Sequence, residues 1–314
     1  MRNSEERYIS LLTDFGFKRV FGTVLNKDLL IDFLNSLFDG EQVVKDVTFL
    51  NSEHVGDVRS ERKAIFDVYC ENEQGEKFIV EMQNAYQTFF KDRSLYYATF
   101  PIREQAEKGD VWDYQLKHVY VVALLNYKMS DSAFSPDTIN HDIGLLDKQT
   151  HRVFNDKLTF KYVEISKFDK CLEELESNYD KWLYVLRNLS RLDSQPDYLR
   201  NEIFNRLFSE AEIAHFSKVE LREYEDSLKA YRDIKNSLDT AKAEGLAEGF
   251  GKGRVEGHAE GLVEGRAEGL AKGRAEGRSE TLVEVAKNLL SIGTPIESIM
   301  KATGLSEEEI KSMI

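Results

Sequence analysis

Apolar residues at 29, 30, 33, 34 and 37 within NKDLLIDFLNSL (26–37) recur at the spacing of one helix face and predict an amphipathic helix. The segment DFGFKRVFG (14–22) leads into it. The period then changes. VVKDVTFLN (43–51) has strand composition and is followed by a polar stretch holding Gly56, Asp57, Arg59, Glu61, Arg62 and Lys63. IFDVYCENEQGEKFIVEMQ (65–83) reads as two apolar strands joined by a polar, glycine-containing turn. YQTFFKDRSLYYATFPIREQAEKG (86–109) is helical in pattern, and Pro101 should kink or break it by removing an amide donor. LKHVYVVALLNY (116–127) is a β-branched run long enough for a buried strand. The order so far is helix, three strands, helix, strand. From about 130 to 165 the pattern is mixed, with one strand expected in LTFKYVEI (158–165), and residues 167–240 are mostly helical.

A repeat follows. Glycine occupies 245, 249, 253, 257, 261, 265, 269, 273 and 277, in units such as AEGL, VEGR and AEGR. Four residues nearly match one helical turn, so in a helix these glycines would form one slowly winding row. Each disfavours helix by roughly 1 kcal/mol relative to alanine, about 9 kcal/mol for nine, while the intervening Ala, Glu, Lys and Arg favour it. Two readings stay open: a tolerant, partly helical spacer, or a row along which a second copy packs. In the tail, Thr294 and Ser306 each stand three residues before a glutamate, Glu297 and Glu309, as capping residues do. IESIMKATGLSEEEIKSM therefore resembles a helix-turn-helix pair, but its second helix opens on three glutamates that DNA phosphate would repel. A packing or oligomer-forming element is the expectation there.

Composition narrows the function. The 314 residues can bury a sizeable core, and a formal net charge of −14 excludes general attraction to nucleic acid. Any such contact needs a local basic patch or bound cations. Cys70 and Cys171 lie far apart and suggest no disulfide framework. The six histidines show no zinc spacing, and no phosphate-binding GxxxxGK[ST] loop or GxSxG nucleophile turn is present. With no apolar run near eighteen residues, no membrane span is expected, and a cytoplasmic setting is. Carboxylate chemistry with a hard cation survives these exclusions.

The hairpin carries that chemistry. Alternation along its second strand points Glu81 and Gln83 one way, Val80 and Met82 the other. If the turn is centred on Gln74, Asp67 faces Glu81 with Cβ atoms about 4.5–5.5 Å apart. A one-residue slip would break the match. Each acid alone would ordinarily lie on a solvated sheet face, yet both sit in strongly apolar runs, AIFDVYC and FIVEMQ. Two facing carboxylates repel unless a cation lies between them, and Mg²⁺ suits such a site.

Asp67, Glu81-x-Gln83 on the adjacent strand, Asp14-x-x-Phe17-Lys18-x-x-Phe21, RKAIFDVYC, Arg93 with Tyr96 and Tyr97, and KGDVWDY (108–114) together resemble the Rpn-like recombination-promoting nuclease and transposase family. That family is a branch of the PD-(D/E)XK nuclease superfamily. The match spans roughly residues 10–170, and the glycine repeats and TGLS-type tail are similar too. The resemblance implies an α/β fold, a PD-(D/E)XK nuclease-like mixed sheet flanked by helices, over 1–170. A helical region (171–240), the glycine repeat as a long helix or assembly segment (241–280) and a short helical tail (281–314) would follow. It further implies that Asp67 and Glu81 hold Mg²⁺ or Mn²⁺, with Asp14 as an auxiliary acidic ligand or water-holder. Gln83 occupies the place where most of the superfamily has lysine. Lys18 and Arg93 would contact substrate phosphate or neutralise the acidic cluster, with Tyr97 beside them as a further substrate contact. The superfamily's proline is absent, since Ile65 and Phe66 precede Asp67.

The bland alternatives are Asp14 as a helix cap, Lys18 and Arg19 as solvated charges, and Arg93 with Tyr97 as ordinary i, i+4 packing. Tyr96, Tyr97 and Phe100 read as core before base-stacking. The functional expectation is a metal-dependent DNA endonuclease that forms a homo-oligomer through its C-terminal repeat and tail. The alternative is a non-catalytic scaffold that keeps the nuclease fold.

Overall fold

The computed structural model describes residues 6–54, 64–106 and 113–314. The polar stretch at 56–63 and most of KGDVWDY lie outside the described residues. Two compact units form, residues 1–239 and 240–314.

In the first unit, helix α1 (Asp14–Phe21) precedes the anticipated helix, α2 (Lys27–Phe38). Thr13 caps α1 by accepting the Gly16 amide at 3.1 Å. The chain packs tightly there: a Cβ at Gly16 would stand 2.2 Å from the Ser10 carbonyl oxygen. Strand β1 (Val47–Phe49) is followed by β2 (Glu53–His54) and β3 (Ala64–Ile65), which pair with each other in a separate two-stranded sheet. The hairpin is β4 (Val68–Asn72) and β5 (Lys77–Gln83). Its turn is set by Asn72, whose side-chain oxygen accepts the Gln74 and Glu76 amides, and by Gly75 at φ +78. That places Val68 opposite Val80 and Cys70 opposite Phe78, the register that a turn centred on Gln74 requires.

Helix α3 (Phe90–Glu104) runs through Pro101 without a break. The proline has no amide to give the Tyr97 carbonyl, so the helix continues with that one bond missing. Strand β6 (Val119–Leu125) is buried at all seven positions. Next come β7 (Asn140–Leu146) and β8 (Val153–Val163). The sheet order is β1-β4-β5-β6-β8-β7, with β5, β6 and β8 parallel and the remaining pairs antiparallel. Strand β7 escapes the sequence pattern because it is an edge strand with hardly any buried face.

Each sheet face carries its own core. Val68, Cys70, Phe78, Val80 and Met82 meet α1, α2 and the helices α4 (Asn178–Asn188) and α5 (Glu202–Ala211). Trp182 lies at the centre of this helical layer, with ring centroids 5.5 Å from Phe21, 5.7 Å from Phe33 and 5.0 Å from Phe204. On the other face, Tyr69, Ile79, Val121 and Phe160 pack with Phe66 and with Phe90, Ala98 and Phe100 of α3. Helix α6 (Lys218–Ser291) begins in this unit. Its Tyr224 hydroxyl accepts the Ser10 amide and its Ser227 hydroxyl accepts the Phe15 amide, both at 3.1 Å.

In the second unit, the glycine repeat is part of α6 and helical throughout. The end of α6 folds with α7 (Ile296–Thr303) and α8 (Glu307–Lys311) around Ala286, Ile299 and Ile310. Gly304 at φ +74 closes α7, and Ser306 with Glu309 caps α8. No described helix is long and apolar enough to cross a membrane.

Candidate active site at the hairpin

Asp67 sits at a bend between β3 and β4, not inside a continuous strand as the apolar run had suggested. The reason is chemical. Its Oδ2 accepts the Met82 amide at 2.8 Å, a donor that a regular ladder would give to backbone carbonyl. In return the Asp67 amide donates to Glu81 Oε1 at 3.3 Å. The two carboxylates thus meet on the α3 side of the sheet, next to the carboxyl end of β5. In open sheets with parallel strands, that end is where ligands bind.

The surroundings penalise charge. Burial raises the pKa of Asp67 above the ordinary aspartate value against the pull of the Met82 amide, Lys18 and Arg93, and Asp14 adds repulsion. Burial and then the Asp67 charge push Glu81 up to about 8. The Glu81 side chain is almost wholly enclosed, at 5% exposure. Asp67 Oδ1 accepts no hydrogen bond among the described residues. Two enclosed, mutually repelling carboxylates with one uncommitted oxygen form a donor set that suits a hard divalent cation. No group of three or more His, Cys, Asp or Glu side chains fit to hold a metal occurs among the described residues. A cation here would therefore be held by these two acids, with water or carbonyl oxygen completing its shell.

A polar chain extends from Glu81. Gln83 donates its amide nitrogen to Glu81 Oε2 at 3.2 Å and accepts from Arg93 at 2.5 Å. Arg93 also donates to Gln87 Oε1 at 2.6 Å, and its guanidinium lies over the Phe90 and Tyr97 rings, 5.2 and 5.7 Å from their centroids. Its buried Nε finds no partner among the described residues. Tyr97 is raised above the ordinary tyrosine value by burial and by the nearby charge of Glu81. Lys18 reaches the cluster from α1. Burial would lower its pKa, but its 2.7 Å bond to Asp14 and the charges of Asp14, Asp67 and Glu81 hold it above the ordinary lysine value.

All seven residues singled out in the sequence thus gather in or beside one site, with differing intimacy. Asp67, Glu81, Gln83 and Arg93 form a connected network, while Asp14 is largely exposed and touches the cluster through Lys18. Asp14 does not cap α1, since Thr13 does. Arg19 turns away to bond Glu220 Oε1 at 2.6 Å and the Glu210 carbonyl at 3.0 Å. Gln87 and Asn84 were not legible beforehand. Gln87 steadies Arg93, and Asn84 ties the end of β5 to the Leu12 carbonyl at 2.6 Å. Both lie in a turn without periodicity, so no pattern marks them.

Two family models match. That of the PD-(D/E)XK nuclease family transposase covers residues 11–241. That of the Rpn/YhgA-like nuclease family C-terminal HTH domain covers residues 279–313. Neither a curated protein nor a solved structure matches the chain.

Proposed function

The chain belongs to the PD-(D/E)XK nuclease family transposases, and from that premise we propose that it is a metal-dependent endonuclease hydrolysing DNA phosphodiester bonds. The single observation that supports this best is the enclosed Asp67–Glu81 pair, whose repulsion a divalent cation would relieve. Mg²⁺ or Mn²⁺ bound there would supply Lewis-acid activation of water and neutralise charge developing on phosphoryl oxygen. Asp67 and Glu81 hold the ion, with Asp14 as an outer acid that keeps Lys18 in place. Gln83, fixed at both ends, orients water or substrate but supplies no charge. Lys18 and Arg93 supply it, and the Tyr97 hydroxyl supports the phosphate. The reaction would act in the cytoplasm, in recombination or mobile-element movement. Purified protein should nick or cut plasmid DNA with Mg²⁺ or Mn²⁺, and Asp67→Ala should slow this by roughly a hundredfold or more. Equal cutting by the variant would end the assignment and leave the scaffold reading.

Assembly is part of the proposal. Along the helical repeat, Glu244, Glu248, Glu256, Glu260, Glu264, Glu268 and Glu276 each precede a glycine, while Arg254, Arg266, Arg274 and Arg278 each follow one. These rows lie roughly 100° to either side of the glycines. Two parallel copies packed glycine to glycine would set each acidic flank against the other's basic flank, and antiparallel copies would set like against like. A four-residue period also exceeds 3.6, which favours right-handed wrapping. For the tail, exposed Glu307 and Glu308 at the start of α8 favour packing over phosphate contact.

A further inference from the structure

The turn between Gln83 and α3 presents two aromatic rings to solvent, Phe89 at 72% exposure and Tyr86 at 45%. Both flank the polar chain that leads to Glu81. Gln87, between them, accepts from Arg93 at 2.6 Å, and the Phe89 carbonyl accepts the Arg93 amide at 2.9 Å. Tyr86 is held in place, standing edge-on to Tyr127 with centroids 5.6 Å apart at 90°. Within the chain these exposed faces contribute little, yet the turn that carries them is linked to the carboxylate pair through Gln87, Arg93 and Gln83.

Charge and ring access together bear on what should lie on them. Duplex DNA carries one charge per roughly 1.7 Å of axis, and duplex binders commonly make about six to ten phosphate contacts. Among the described residues this site offers Lys18 and Arg93, while nearby Lys91 is tied to Asp131, in a chain of net charge −14. Stacking on an aromatic ring needs no charge and strengthens binding by roughly 5- to 150-fold per base. Paired bases keep their faces inside the helical stack, so only an unpaired base can lie on such a ring.

We infer that Tyr86 and Phe89 are a base-stacking platform, and that the site takes DNA unpaired beside the scissile phosphate. This deepens the nuclease reading and rests on it for the identity of the site, but the stacking itself requires no cleavage. The test is fluorescence anisotropy with the full chain and no divalent metal. Its probes are labelled oligo(dT), an abasic strand of equal length and a blunt duplex. Oligo(dT) should bind at least about tenfold tighter than either rival. Tyr86→Ala with Phe89→Ala should remove that advantage while leaving abasic binding unchanged, and Phe89→Trp should preserve it. Phe89 is largely exposed, and loss of the edge-on Tyr86–Tyr127 contact should lower thermal melting only slightly without unfolding the chain. Equal affinity for oligo(dT) and the abasic strand, or an unaffected double variant, overturns the inference. Plasmid cleavage is scored separately. Cutting without base-dependent binding sinks the platform alone, and base-dependent binding without cutting sinks the nuclease reading alone.

Discussion

Glycine stands in helices at both ends of this chain, and for opposite reasons. In α1 the chain itself demands it, because a Cβ at Gly16 would collide with the Ser10 carbonyl 2.2 Å away. In the repeat, a Cβ at any glycine from 245 to 277 would meet nothing within 4 Å. The first glycine answers to a packed neighbour within the fold, and its helix carries Lys18 to the carboxylate pair. The others carry the cost of helical glycine with no close neighbour at the added Cβ, among the described residues, to offset it. A helix kept at that cost needs a reason outside its own chain, and a second copy is the reason proposed above.

The largest expected effect separates the two regions directly. Replacing the nine periodic glycines with alanine should favour the helix by about 9 kcal/mol in summed propensity, seen as greater helicity on heating. If glycine rows pack together, the same variant should lose its oligomer in sedimentation. An oligomer that survives would make the repeat a spacer.

The carboxylate pair should show an opposite signature, a fold weakened by its own site. Glu81 holds its proton up to about 8 when folded, against 4.5 ordinarily. Its stabilising effect is complete below about pH 4.5 and is lost as pH rises toward 8, because the unfolded chain releases that proton first. The loss is up to about 5 kcal/mol. Melting temperatures measured without metal should therefore fall across that window. Glu81→Gln should flatten the fall, and Mg²⁺ should reverse it in the wild type alone.

Gly16→Ala should cost roughly 1–3 kcal/mol by overpacking and should weaken cleavage by displacing Lys18, whereas Gly261→Ala should cost no folded-state stability. The smallest effect belongs to the tail. Ser306→Ala should cost about 1 kcal/mol through loss of the α8 cap, read as local amide exchange, without touching cleavage.

Much of the first unit was legible in advance. The stripe at Leu29, Leu30, Phe33, Leu34 and Leu37 became the buried face of α2, and the Asn72–Glu76 turn gave the expected hairpin register. Facing positions then followed from strand geometry, which is why Asp67 and Glu81 could be paired on paper. The bend at Asp67 could not, since it arises from a side chain taking the Met82 amide across the hairpin. Strand β7 was missed because an exposed edge needs no apolar alternation.

What the sequence alone determined is local: periodicity, turn chemistry and the acids that a short loop brings together. Those depend on residues near one another in the chain, whose spacing translates directly into space. The tertiary structure decided the rest. It brought Lys18 and Arg93 to the pair, enclosed Glu81 until its charge became costly, and left Phe89 in solvent. Each of these depends on which surfaces pack together, and packing joins residues that no sequence period relates.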